Sequence, residues 1–152
     1  MESETAWWET VAAVPPWNAP WLGRFPGPFD SDESADDLAR LAEGPDAQRA
    51  LTEMLTGFVA DEGRVCSDDA DGPVAAACLV GVRRSGEILD ESVAPVLEAT
   101  AFTVTEELRA LAAAVLDKAV RAEDNEYREW CESAEDLADW MGQLALYRRY
   151  LA

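Results

Sequence analysis

The residues with the clearest chemical potential are five carboxylates in eight positions: Asp30, Asp32, Glu33, Asp36 and Asp37. On a helix, Asp32 and Asp36 share one face, and Glu33 and Asp37 share the next. At a helix N-terminus these groups complement the positive end of the dipole. They are also a docking site for a cation or a basic partner, and a carboxylate pair of this kind serves glycoside hydrolysis when one member sits in an apolar pocket. Trp17 and Trp21 lie just before the cluster and supply aromatic anchors of the type found at interface hot spots.

Other chemistries are excluded by what the chain lacks. There is no histidine, which removes Ser-His-Asp and Cys-His catalysis and His-ligated zinc. Cys66, Cys78 and Cys131 form no CxxC pair, so neither a zinc site nor a dithiol redox site is expected. The run Ser67-Asp68-Asp69-Ala70-Asp71-Gly72 has the look of half a calcium loop. With Gly72 in the sixth position, Ser67 takes the first and Cys78 the twelfth, where a bidentate Glu is needed. The expectation is a solvated acidic loop. No phosphate-binding glycine motif is present. No catalytic residue, metal site or cofactor is assigned.

The elements that must position the cluster read as helices. Residues 1–28 form an irregular arm with four tryptophans and five prolines, folded back on the core, with a helical turn around 5–13. The helical domain takes 29–152. Its first helix, capped by Ser31 or Asp32, places Ala35, Leu38, Ala39 and Ala42 on one face and stops at Gly44-Pro45. A second helix runs from about Pro45 to Ala60, with Ala47, Leu51, Met54, Leu55 and Phe58 inward. Residues 61–73 read as a loop ending at Gly72-Pro73. Val74–Val82 is apolar nearly all round and reads as a central helix, with Arg83 and Arg84 at its C-terminal end. A short helix interrupted by Pro95 falls within 87–102. Thr103 and Glu106 have capping-box spacing before a long helix in which Leu108, Leu111, Ala112, Val115, Leu116, Ala119 and Val120 follow at steps of three and four. Asn125 caps a short helix containing Tyr127 and Trp130, and a last helix carries Leu137, Trp140, Met141, Leu144, Ala145 and Leu151. In its last turn Arg148 and Arg149 complement the dipole or reach the acidic cluster. The fold class is all-α, a single domain of five or six packed helices.

The 152 residues carry 31 acidic and 12 basic side chains, net −19. That sign excludes direct binding to a phosphate backbone and disfavours an anionic membrane surface. The acidic N-terminus lacks the features of a signal peptide, and the chain is expected to be cytoplasmic.

The segment Gly27-Pro28-Phe29-Asp30-Ser31-Asp32, with Ala35, Asp36 and Leu38, resembles the opening motif of the bacterial 4259 family of domains of unknown function. Members begin Trp-Gly-x-Gly-x-Phe-Asp-Asn-Asp. Here Trp21 and Gly27 are more widely spaced, and Ser31 replaces Asn. Val74-Ala75-Ala76-Ala77-Cys78 is similar to the family's Ala-rich helix, which often has Glu where Cys78 stands. Asp124-Asn125-Glu126 with Trp130 and Trp140 is similar to its C-terminal pattern. The resemblance covers about residues 21–152 and implies a helical bacterial domain with no assigned activity.

The function expected is a non-enzymatic acidic binding protein, immunity-type or regulatory, that offers the carboxylate cluster to a basic protein partner. The alternatives are a divalent-metal-assisted hydrolase using the same carboxylates, and an accessory domain whose acidity serves solubility.

Overall fold

A computed structural model describes residues 6–10, 32–63, 65–87, 93–121, 123–133 and 137–152. These form eight helices: α1 (Trp7–Thr10), α2 (Asp32–Glu43), α3 (Ala47–Ala60), α4 (Ser67–Ser85), α5 (Val93–Ala99), α6 (Glu106–Ala119), α7 (Glu126–Ser133) and α8 (Leu137–Tyr150). No strand occurs among the described residues; a lone parallel bridge joins Val65 to Asn125. The all-α single domain stands, with more helices than the five or six expected.

Helix α4 is the axis. Residues 74–80 are completely buried, because α2, α3, α6 and α8 pack around it. A helix apolar on every side is stable only when so enclosed. Its small residues let neighbours come close. A Cβ on Gly81 would lie 3.1 Å from the Tyr147 carbonyl oxygen of α8. At its end Gly86 takes the left-handed conformation, φ 79°, and returns its N–H to Val82.

The loop expected at 61–73 is a correction. Only its first part is loop; α4 already begins at Ser67 and carries Pro73 inside. A proline in a helix interior costs about 3 kcal/mol. Burial of Ala70, Gly72, Pro73 and Val74 offsets that cost. Asp69 and Asp71 are therefore helical and form no calcium loop.

The buried stripe of α3, Ala47, Leu51, Leu55 and Phe58, matches the sequence reading except that Met54 is half-buried; in α6 Leu108, Ala112, Val115, Leu116 and Ala119 are buried as expected and Leu111 is half-buried. In α2 the inward pair is Leu38 and Leu41, while Ala39 is exposed, so the expected face is rotated. Cap positions also moved. Thr105, two residues after Thr103, caps α6 by accepting from Leu108 N–H at 3.1 Å. Asn125 does cap α7, its Oδ1 accepting from Arg128 N–H at 2.9 Å. Its amide nitrogen also donates to the Ala119 and Arg121 carbonyls, which closes the end of α6. On α8, Trp140 meets the edge of Tyr127 at 5.0 Å between centroids.

Where α2 crosses α4, Asp37 lies against Gly72. A Cβ there would fall 2.0 Å from Asp37 Oδ2 and 3.1 Å from its Cβ. Gly72→Ala is expected to destabilise the fold by about 1–2 kcal/mol in a urea titration, by displacing the Asp37 carboxylate. In an Asp37→Ala background that cost falls close to zero, since alanine is favoured over glycine in a helix by about 1 kcal/mol. An equal cost in both backgrounds refutes the contact.

Candidate functional site

Of the seven residues assigned to partner binding, Asp30, Trp17 and Trp21 lie outside the described residues. Asp32 and Glu33 are described as helical backbone in the first turn of α2. Asp36 is exposed. Asp37 is not equivalent to it. Its side chain is 21% exposed and accepts from Arg40 at 2.7 Å while resting on Gly72. Neighbours on a helix are about 100° apart, so one carboxylate faces water and the next faces α4. Asp37 is a packing residue that the spacing alone grouped with the others.

The basic residues explain what surrounds the cluster. Two of the twelve, Arg24 and Arg64, lie outside the described residues. The other ten are all engaged. Lys118 of α6 donates to the Phe58 and Asp61 carbonyls at the end of α3, and lies 4.8 Å from the Phe58 ring centroid. Arg83 of α4 donates to the Leu97, Thr100 and Phe102 carbonyls at and beyond the end of α5. Arg128 donates to the Val120 carbonyl at the end of α6. Arg84 and Arg109 reach the Tyr150 and Leu151 carbonyls at the end of α8. Arg121 bonds the Gly63, Glu123 and Asp124 carbonyls, and Arg149 bonds that of Trp8. Arg40, Arg49 and Arg148 pair with Asp37, Glu53 and Asp117, and Arg109 also holds Glu106.

The last carbonyls of a helix have no partner within it and carry partial negative charge. Cations from neighbouring helices supply both hydrogen bonds and charge at the ends of α3, α5, α6 and α8. Seven of the ten described cations are thus drawn to backbone carbonyls, and many carboxylates are left toward solvent. Asp36, Glu43, Glu62, Glu98, Glu107 and Glu123 are all exposed. The expectation that Arg148 and Arg149 serve the last turn of α8 holds for their position. The side chain of Arg148 goes to Asp117, and that of Arg149 donates to the Trp8 carbonyl.

Titration behaviour follows from these placements. Burial lowers the pKa of Arg83 and that of Lys118, the latter against the opposing pull of Asp61. A hydrogen bond from Arg109 lowers the Glu106 pKa. Burial pushes the Cys78 thiol well above its ordinary range, so it stays protonated and is no nucleophile. Tyr150, desolvated and hydrogen-bonded to Glu87 at 3.1 Å, is pushed up to about 12.

Among the described residues, no group of three or more Cys, Asp or Glu is placed to hold a metal ion, and no helix is long and apolar enough to cross a membrane. Sequence reasoning missed Asp117, which gathers Trp7 and Arg148, and Gln143, which is fully buried on α8. A glutamine among Trp140, Leu144 and Tyr147 was the available signal for the second.

No match was found among curated proteins or among solved structures. The family profile of a domain of unknown function, DUF4259, matches residues 26–143, and the chain belongs to that family.

Proposed function

We propose that this protein is a non-enzymatic acidic binding protein, regulatory or immunity-type, that presents carboxylates around the start of α2 to a basic protein partner. The observation that supports this reading is the internal use of cations. Seven of the ten described basic side chains donate to backbone carbonyls of the same chain, and the sequence as a whole carries a net charge of −19. A field of one sign raises association rates with a basic target by roughly 10–10³. Asp36 belongs to the proposed surface; Asp37 supports it from below through Gly72 and Arg40.

The test is capture from native lysate by the immobilised full chain at low salt. A basic protein is expected to be retained, and released at about 1 M salt, where the screening length is ~3 Å. A variant with Asp30→Asn, Asp32→Asn, Glu33→Gln and Asp36→Asn should lose that protein while Asp37 stays in place. Retention of nothing, or only of a salt-insensitive partner, refutes the proposal.

A further inference from the structure

Helix α1 has four residues. The Glu9 N–H donates to the Ala6 carbonyl at 2.9 Å, and the Thr10 hydroxyl donates to the Trp7 carbonyl at 3.0 Å. A turn this short does not sustain itself, because forming the first turn costs more than its hydrogen bond returns. Helix α1 is held by what it touches. Trp7 packs on the core, and its indole N–H donates to Asp117 at 2.8 Å. The Arg148 guanidinium lies 4.9 Å from the Trp8 ring and also donates through Nε and Nη2 to Asp117, at 3.0 and 3.3 Å. Arg149 Nε donates to the Trp8 carbonyl at 3.2 Å.

This is guanidinium chemistry. A flat cation stacks with its face while its edge donates to a carboxylate; an ammonium lacks the separate face and edge. The Asp117 side chain is 45% exposed, whereas that of Arg148 is 14% exposed. Residues 11–31, five of them proline, separate α1 from α2 along the chain.

We infer that α1, together with Asp117 of α6, forms an arginine-recognising seat, occupied by Arg148 of its own chain and open to an arginine of a basic partner that displaces it. The inference rests on the acidic-binding reading above and adds to it the kind of cation recognised and an internal competitor for it. Trp8 supplies the stacking face and its carbonyl an acceptor, and exposed Glu9 adds a charge beside them.

The test titrates the full chain with hexa-arginine and hexa-lysine at low salt while following the indole N–H resonances of Trp7 and Trp8. Hexa-arginine should bind roughly fivefold tighter than hexa-lysine and shift both resonances. Arg148→Ala removes the internal competitor and should tighten hexa-arginine binding by a further factor of about five. Arg49→Ala makes the same charge change at a site paired, among the described residues, with Glu53, and should not. Trp8→Ala should abolish the preference for arginine, a result independent of how well the Arg148 variant folds. If Arg148→Ala and Arg49→Ala bind alike, or both peptides bind equally with the α1 resonances unmoved, the inference fails and the acidic-binding reading survives. Binding of neither peptide overturns both.

Discussion

Gln143→Met is expected to raise the melting temperature by about 5 °C, a gain of about 2 kcal/mol. Gln143 is 0% exposed, and neither its amide nitrogen nor its oxygen has a hydrogen-bond partner among the described residues. An unpaired buried polar group loses its water and gains nothing in return, at about 1–3 kcal/mol. Methionine keeps the unbranched length of the side chain, so neither a large void nor a clash opposes the gain. The same face of α8 buries Trp140, Leu144, Tyr147 and Leu151, so the substitution extends an existing surface. Thermal and urea denaturation check the result. A fall in melting temperature would show that the carboxamide is paired in solution.

Arg83→Met is expected to act in the opposite direction and more strongly, by about 3–4 kcal/mol, or roughly 10 °C. Arg83 Nη1 donates to the Thr100 and Phe102 carbonyls at 3.1 and 2.7 Å, Nη2 donates to the Leu97 carbonyl, and the guanidinium lies 4.2 Å from the Phe102 ring centroid. Removing one cation thus strips charge-assisted bonds from three carbonyls together, while methionine keeps much of the apolar stem. Arg83→Lys should rescue less than half of the loss, because an ammonium lacks the rigid fork that spans these acceptors. Amide hydrogen exchange should locate the loosening at residues 97–103. Uniform loosening, or full rescue by lysine, would refute the clamp.

These two residues show where sequence reading stops. The apolar stripes of α3 and α6 were legible because neighbours at three and four residues decide them. Asn125 was legible as a cap because its partner, Arg128 N–H, is three residues away. Gly72-Pro73 misled because local breaking rules were overridden by the enclosure of α4 on all sides. In α2, Ala39 and Leu41 stand on opposite sides of a narrow face, and only the docking against α4 decides which is inside. The position of Arg83 at the end of α4 was visible, but its acceptors were not. Lys118 is the same case, with its Phe58 acceptor 60 residues away. In the candidate site, spacing treated Asp36 and Asp37 as members of one cluster; the contact with Gly72, from another helix, separates them.

The contact between α1 and α8 has a consequence for the order of folding. The Arg149–Trp8 bond joins positions 141 residues apart, the widest ring closed by a described hydrogen bond. Closing such a ring from the open chain costs about 1.7 kcal/mol more in entropy than closing a ring of about 21 residues, the sequence separation between α1 and α2. The economical route assembles the seven later helices first and seats α1 last. In reverse, α1 detaches before the rest unravels. Among the described helices, α1 is thus the last to settle, although it stands first in chain order.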